Sequence, residues 1–253
     1  MTDVIVLENL HKAFDGVPVL SGVDLRVRKG ETLVIIGRSG TGKSVTLKHI
    51  IGLLTPDAGR VTVFGQDLSQ LGQKELLGLR LRIGYLFQSG ALLNWLTIAE
   101  NVALPLREHR RDLSEEEIHR RVDEKLRLVD MLGARNKLPA EVSGGMKKRA
   151  GLARAIVMDP EIILYDEPTS GLDPVMAAAI NDLVRRTQRA TGATQVVVTH
   201  DMQSAYTIGD RIAMLYQGRI IALGTPEEIR ESRDPVVRQF VRGEAEGPIT
   251  QGG

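Results

Sequence analysis

One segment of the sequence has the residue types and the spacing needed to hold the phosphates of a nucleotide. The pattern G-x-x-x-x-G-K-[ST] is matched by Gly37, Gly42, Lys43 and Ser44. Its glycines let backbone N–H groups converge on phosphate oxygens, its lysine reaches the β- and γ-phosphates, and its serine hydroxyl binds Mg²⁺. A glycine turn with a purely structural role is the alternative. The loop residues predicted to bind nucleotide are Gly37, Arg38, Ser39, Gly40, Thr41, Gly42, Lys43 and Ser44.

A second chemical feature is the acidic pair Asp166-Glu167, which follows the apolar run from Ile162 to Tyr165. In open α/β sheets, ligands bind at the carboxyl ends of the strands. In a phosphoryl-transfer site the first acid can hold Mg²⁺, and the second can orient and deprotonate the attacking water. Alone, an acidic pair before a proline is more often a turn. Together with the phosphate loop, it predicts Asp166 as a metal ligand and Glu167 as the catalytic base.

The elements that must position these residues follow the order strand, loop, helix. Leu33 to Ile36 is an apolar run typical of a buried central strand, and Lys43 to Ile51 has the apolar spacing of a helix packed on a sheet. The N-terminus of such a helix favours an anion. Further strands are predicted at 4–7, 23–27, 83–87, 162–165, 195–198 and 212–216, with a helix at 175–190. This alternation indicates an α/β fold with a mostly parallel sheet.

Residues 89–154 have a different character, because strand patterns give way to clustered charges. We interpret this stretch as a helical subdomain inserted into the α/β fold. Ser114 and Glu117 have the spacing of a capping box. The apolar residues Ile118, Val122, Leu126 and Val129 then recur at spacings of four and three, which predicts one buried helix face. The flanking charges are assigned to a solvated face.

Composition excludes several classes of protein. The chain has 33 Lys and Arg against 32 Asp and Glu, and the resulting net charge of +1 gives no general electrostatic case for nucleic acid as a partner. The absence of cysteine excludes thiolate metal sites and thiol nucleophiles. No apolar run approaches the ~18 residues of a membrane span. We therefore expect a cytoplasmic chain that binds no nucleic acid.

The segment Val142-Ser143-Gly144-Gly145-Met146 narrows the class of nucleotide-binding protein. It lies about a hundred residues after Lys43 and shortly before Asp166, and in sequence and place it resembles the signature motif of the ATPases of ABC transporters. The resemblance implies an enzyme that hydrolyses ATP with Mg²⁺. It also implies that Ser143, Gly144 and Gly145 contact ATP, each ATP being sandwiched between Lys43 of one subunit and Ser143 of a second copy.

Four further residues stand where this family has the other parts of its ATP site. The resemblance implies that Phe14 stacks on adenine and that Gln88, in the Q-loop, is a Mg²⁺ ligand with a catalytic role. It implies that Asp173, in the D-loop Ser170 to Asp173, contacts the nucleotide and that His200 is the catalytic switch histidine. Taken singly, three of these residues have an ordinary alternative: Phe14 as a core phenylalanine, Gln88 as a surface amide and His200 as a satisfied histidine at a strand end.

Two positions depart from the usual signature, which has leucine and glutamine where this chain has Val142 and Met146. A thioether cannot replace the hydrogen bonds of an amide. We expect activity to survive, because Ser143 to Gly145 are retained. In having methionine at position 146, the chain resembles the ATPases of MCE-type phospholipid transporters, which include the maintenance-of-lipid-asymmetry system. Weaker resemblances to that subgroup are carried by 87–92, 100–102, 105–108, 234–235, 237–240 and 247–248.

The resemblance implies a P-loop ATPase fold of the ABC type, with an α/β core, an inserted helical subdomain and N-terminal antiparallel strands. We divide the chain into an ATP-binding domain, residues 1–233, with the helical subdomain at about 89–154, and a C-terminal extension, residues 234–253. The expected role is the ATP-hydrolysing subunit of a membrane transporter, located peripherally on the cytoplasmic side of the inner membrane. The alternatives are the ATPase of another ABC importer or exporter and a soluble ABC ATPase without a transport role.

The partners implied are a second copy of the chain, a separate transmembrane permease and an MCE-domain lipid-binding protein. We place the permease-docking groove beside Gln88 to Trp95, where Trp95 is either exposed or buried. In the extension, Val236, Val237, Phe240 and Val241 form one apolar stripe after Pro235. By resemblance to the lipid-transport subgroup, the tail reaches the opposite subunit. Deletion of residues 243–253 is therefore predicted to weaken the dimer and to change the folding stability by less than roughly 1 kcal/mol.

Overall fold

The structure is a computed structural model that describes residues 2–251, and its contacts divide the chain into two compact units. The first unit is Met1–Leu76 with Val196–Gly253, and the second is Leu77–Gln195. In chain order the strands are β1 Asp3–Phe14, β2 Val17–Arg28, β3 Thr32–Ile36, β4 Ala58–Val63, β5 Gln66–Asp67, β6 Ile83–Leu86, β7 Ile162–Asp166, β8 Thr194–Thr199, β9 Arg211–Tyr216 and β10 Arg219–Gly224. The α-helices are α1 Lys43–Ile50, α2 Gln73–Arg80, α3 Ile98–His109, α4 Glu115–Leu128, α5 Gly144–Ile156, α6 Pro174–Thr191, α7 Met202–Ile208, α8 Pro226–Arg230, α9 Pro235–Arg242 and α10 Pro248–Gln251.

The first unit contains an antiparallel sheet with the strand order β2-β1-β4-β5. Along β2, the buried Leu25 and Val27 alternate with the exposed Arg26 and Arg28, as expected for a strand with one face in the core. The antiparallel N-terminal strands predicted from the sequence are confirmed. β1 and β2 are 12 residues each, much longer than the predicted runs, because polar residues continue both strands.

The phosphate loop follows a strand in the core of the first unit. β3 is buried along its whole length and pairs in parallel with β9, which pairs antiparallel with β10. The predicted buried strand before the loop is therefore confirmed, as is the helix after it, α1. β4, β5 and β10 were not predicted. β4 begins with three exposed residues, so its apolar pattern is too short to indicate a strand.

The second unit combines a parallel strand pair with helices. β6 and β7 are fully buried and pair in parallel, so that Leu86 lies beside Tyr165. Between them in the chain are α3, α4 and α5, and no strand occurs in 89–154, all of which the structure describes. Together with β6 and β7, this stretch confirms the predicted α/β fold with inserted helices. The proposed domain boundaries stay a prediction.

The predicted buried face of α4 is confirmed, because Ile118, Val122 and Leu126 are all buried. The predicted capping box is formed only in part. The Ser114 hydroxyl accepts from the backbone N–H of Glu117 at 3.2 Å. The Glu117 carboxylate instead accepts from Arg120 at 2.7 Å and from Arg121 at 3.1 Å. Two nearby guanidinium groups thus replace the backbone N–H that a complete box would use.

The C-terminal segment is folded back on its own subunit. Gln239, which is 3% exposed, accepts from the backbone N–H of Ile249 at 2.8 Å and donates to the carbonyl of Glu244 at 3.1 Å. Ile249 is buried as well, and its carbonyl accepts from Arg38 of the phosphate loop at 3.4 Å. Of the predicted apolar stripe, only Val237 is fully buried. A buried glutamine therefore joins α9 to α10, which the apolar pattern did not indicate.

Candidate nucleotide-binding site

The backbone of the phosphate loop has the conformation that its glycines were predicted to supply. Gly40 and Gly42 have φ values of 81° and 99°, in the left-handed region that side chains rarely adopt. At Gly37 a Cβ atom would lie 2.5 Å from the carbonyl oxygen of Leu215, so only glycine fits there. Gly42 is the N-cap of α1, and no side chain caps this helix. Since α1 also has no acidic residue in its first turn, its N-terminus suits an anion.

Lys43 lies inside this loop and is 5% exposed. Its Nζ donates to the carbonyl oxygens of Gly37 at 2.8 Å and of Arg38 at 3.0 Å. A buried ammonium needs acceptors, and here the loop itself supplies them. Phosphate oxygens are stronger acceptors than carbonyls, because a charged partner strengthens the hydrogen bond. The loop therefore fits a phosphate group by its backbone, its cation and its helix terminus.

Two other predicted site residues of the first unit lie at strand ends. Phe14 is the last residue of β1 and is 41% exposed, so it is not a core phenylalanine. The Nζ of Lys12 lies 5.7 Å from the centre of its ring. His200 directly follows β8, is exposed, and precedes Asp201, which caps α7 by accepting from the backbone N–H of Gln203 at 3.0 Å. Exposure leaves both rings accessible to a ligand.

In the second unit, the acidic pair lies at the carboxyl end of β7, as predicted. Asp166 is buried and accepts from the hydroxyl of Tyr85 at 3.1 Å. Burial, and next the charge of Asp166, raise the pKa of Tyr85, so this hydroxyl is held as a donor. Carboxylate oxygens are among the ligands that Mg²⁺ prefers. The donor set at Asp166 therefore fits such a cation.

Glu167 is buried and has a strained backbone. Its φ of 48° is unusual for a residue other than glycine, and Pro168 further restricts it. Its carbonyl accepts from the backbone N–H of Ser170 at 3.2 Å, which closes a turn after β7. Strain of this kind clusters at functional sites, because the surrounding structure must impose it.

Gln88 is exposed and lies in the loop after β6. Its amide donates to the hydroxyl of Ser170 at 3.3 Å, so the structure brings the predicted Q-loop and D-loop together. Asp173, at the end of the D-loop, caps α6 by accepting from the backbone N–H groups of Val175 and Met176, both at 3.0 Å. Its contact with nucleotide stays a prediction.

The signature segment forms the start of α5. The Ser143 hydroxyl caps the helix by accepting from the backbone N–H of Met146 at 3.3 Å. A Cβ atom at Gly145 would lie 2.7 Å from the methyl carbon of Met176, so glycine allows the close approach of α6. At Gly144 such an atom would meet no other part of the chain within 4 Å among residues 2–251, apart from its own helix, which leaves the helix N-terminus open there. Because position 146 contributes its backbone to the cap, glutamine is not needed for it.

Sequence reasoning missed two polar residues next to the acidic pair, Tyr85 and Lys148. The apolar pattern around Tyr85 indicates only a strand, although a hydroxyl one residue before the end of β6 could reach a site at that end. Lys148 stands among several basic residues after the signature, which by itself indicates no role. Its place one helical turn beyond Gly144 is the feature of the sequence that could have indicated a position near the signature.

The sequence left open whether Trp95 is exposed or buried, and the structure shows that it is exposed. At 75% exposed, Trp95 is the most exposed aromatic side chain that the structure describes. Phe87, eight residues upstream and directly after β6, is 37% exposed. Aromatic side chains are common at protein interfaces, so this part of the second unit suits a protein partner.

Comparison with known proteins agrees with this geometry. Residues 20–170 match the family model described as ABC transporter. The chain is 45% identical over 97% of its length to the probable ribonucleotide transport ATP-binding protein mkl of Mycobacterium leprae, and covers 70% of that protein. It is 42% identical over 91% of its length to the intermembrane phospholipid transport system ATP-binding protein MlaF of Haemophilus influenzae, covering 87% of it.

Among solved structures, a dimer of the ATP-binding cassette MJ0796 bound to ADP and phosphate superimposes with a TM-score of 0.80 at 34% identity. The match covers 88% of this chain and 98% of the cassette. The glycine loop, the acidic strand end and the capped signature helix are thus found in a chain whose family match spans more than half its length. The chain belongs to the ABC transporter family, as its ATP-hydrolysing, nucleotide-binding subunit.

Proposed function

We propose that this chain hydrolyses ATP through two groups of residues with separate tasks. Residues 37–44 bind the phosphates, and Phe14 stacks on adenine. Glu167 takes the proton of the attacking water, with Gln88 and His200 completing the catalytic group. The loop around Lys43 carries this assignment, since it offers a buried cation and an uncapped helix N-terminus to a phosphate.

Mg²⁺ is the metal proposed for this site, with Ser44, Asp166 and Gln88 as the residues that would hold it. When bound, the ion would neutralise charge on the phosphate oxygens. The protein itself contributes an acidic oxygen kept in place by Tyr85 and a hydroxyl at the start of α1. These oxygen donors suit a hard divalent cation better than a softer metal.

The second subunit is needed, in this proposal, to supply Ser143, Gly144, Gly145 and Asp173 to the ATP bound at Lys43. We expect the isolated chain to hydrolyse ATP slowly and to dimerise weakly unless ATP is retained, because a permease normally raises the effective concentration of the two copies. Analytical ultracentrifugation of the full chain, with and without ATP, measures this. Lys43→Ala is the control that should remove the effect of ATP. A dimer that is stable without ATP, and that hydrolyses ATP at the full rate without a membrane partner, would contradict the proposal.

The C-terminal extension is proposed to stabilise this dimer. We expect deletion of residues 243–253 to shift the ATP-dependent monomer–dimer equilibrium toward monomer, measured by sedimentation in a Glu167→Gln background. The deletion also removes the partners of the buried Gln239, so the free energy of unfolding should fall by about 1–3 kcal/mol, more than the sequence predicted. A lower stability with unchanged dimerisation would show that the extension acts only within its own subunit.

Phospholipid is the cargo we propose, moved by a separate transmembrane permease in the inner membrane that works with an MCE-domain lipid-binding protein. The support is the similarity to MlaF, together with Met146 in the signature. Within residues 2–251 no helix is both long enough and apolar enough to span a membrane. In this proposal the chain associates peripherally with its permease on the cytoplasmic side, and the exposed Trp95 is the proposed contact.

Another cargo is the second candidate, because the mkl relative is described as a ribonucleotide transport protein. The two are distinguished by purifying the chain with its partners from detergent-solubilised membranes and identifying the bound small molecules and partner chains. Phospholipid and an MCE-domain protein would support the first candidate. Recovery of a permease with neither of them would favour the second, and recovery with soluble partners alone would favour an ABC ATPase without a transport role.

A further inference from the structure

Lys148 is a buried cation that the proposed ATP chemistry does not use. It lies in α5, five residues after Ser143, and is only 6% exposed. Its Nζ donates to the carbonyl oxygen of Ser170 at 2.6 Å and to that of Glu167 at 3.2 Å. Both acceptors belong to the turn directly after β7. Burying an ammonium group whose hydrogen bonds go to the backbone of one short turn has a large desolvation free energy. A hydrocarbon side chain would fill the same space without that penalty.

The turn that Lys148 holds is the strained one. Glu167 has a left-handed φ of 48° in front of a proline. Its carbonyl oxygen accepts two hydrogen bonds, from the Ser170 N–H within the turn and from the ammonium group of α5. Because unfavourable backbone conformations persist only where the surroundings impose them, the second bond fixes a conformation that the turn alone would hold weakly.

The pKa of Lys148 depends on its burial and on the nearby Glu167. Burial lowers the pKa of Lys148, and the opposite charge of Glu167 partly offsets that effect. The hydrogen bonds to the carbonyl oxygens of Glu167 and Ser170 place the ammonium group beside the turn that carries this carboxylate. Lys147, the preceding residue in α5, is only half-buried, which makes it a suitable comparison.

We propose that Lys148 is a positioning residue for Glu167: it holds the turn 167–170 in the conformation that aims the carboxylate at the attacking water. This inference rests on the proposed function, in which Glu167 is the base. Since α5 begins at the signature segment, Lys148 also ties that segment to the turn that carries the base. A change at the start of α5 would then reach Glu167 through one side chain.

The test compares four variants of the full chain under steady-state ATP hydrolysis: Lys148→Met, Lys148→Gln, Lys148→Arg and the matched control Lys147→Met. We expect Lys148→Met to lower kcat by at least about tenfold, with KM for ATP changed less than about twofold, because misplacement of a base slows the chemical step. Lys148→Arg keeps the charge and the donors and should recover part of the loss. Lys147→Met should match the wild type. Thermal unfolding is recorded for each variant, and Lys148→Gln, which keeps donors without charge, serves if the methionine variant does not fold.

A double-variant comparison separates positioning from a merely structural role. In a Glu167→Gln background, Lys148→Met should cause no further loss of the residual turnover, because the base through which it acts is already gone. An equal additional loss in that background, or a wild-type kcat in Lys148→Met with Glu167→Gln inactive, would overturn the inference. Wild-type turnover in Glu167→Gln itself would instead refute the assignment of the base, so the two failures are distinguishable.

Discussion

Glu167→Gln is expected to lower ATP turnover by at least about a hundredfold while ATP affinity stays within about twofold of the wild type. The amide keeps the shape of the side chain but cannot accept a proton from the attacking water. Single-turnover hydrolysis and equilibrium binding of ATP to the same preparation measure the two quantities.

The matched control for this variant is Glu161→Gln, the same chemical change in the residue just before β7. Glu161 is exposed and forms an ion pair with Arg82 at 2.7 Å, so its loss should leave turnover unchanged. Turnover near the wild-type level in Glu167→Gln would remove Glu167 from the role of base. A loss of ATP affinity equal to the loss of turnover would assign it to binding instead.

Lys43→Ala should weaken ATP binding rather than impair the chemical step. A charge-assisted hydrogen bond is worth about 1.5–3 kcal/mol, so we expect ATP affinity to fall by roughly 10- to 100-fold. The variant also removes the ammonium donor from the carbonyls of Gly37 and Arg38. Some loss of thermal stability should therefore accompany the loss of affinity.

Lys48→Ala provides the comparison for this variant, since Lys48 lies on the exposed face of the same helix. Titration of each protein with a fluorescent ATP analogue, followed by thermal unfolding without nucleotide, gives both readouts. Equal affinities of the Lys43→Ala and Lys48→Ala variants would show that Lys43 makes no contact with the phosphates, whatever its place in the loop.

The features that could be predicted from the sequence are those in which function depends on residues close together in the chain. The loop from Gly37 to Ser44 and the strand before it lie within a dozen residues, and both were found as predicted. The signature serine was recognised by its motif, and its structural task as the N-cap of α5 depends on a residue only three positions away. Local hydrogen bonding and backbone conformation are determined largely by the types of neighbouring residues, so they can be predicted from the sequence.

The sequence failed where local pattern and tertiary contact favour different outcomes. Glu117 has the spacing of a capping box, but Arg120 and Arg121 compete for its carboxylate and prevail. The apolar pattern of the tail did not indicate that Gln239 accepts from the N–H of Ile249 and so joins α10 to α9, whereas the predicted contact of the tail with a second subunit stays a prediction. Each outcome depends on free-energy differences of about 1 kcal/mol between alternative partners, which a spacing rule does not resolve.

The sequence by itself determined the phosphate loop, the acidic strand end, the inserted helices and the resemblance to a family of transport ATPases. Only the tertiary structure decided which polar groups support the acidic pair. Tyr85 reaches Asp166 across 81 positions of the chain, and Lys148 reaches Glu167 across 19. The physical reason is that motif residues act through the backbone of their own segment, whereas supporting side chains are selected by burial. A lysine in a basic stretch gains its partners only when α5 packs beside the turn after β7 and removes the ammonium from water.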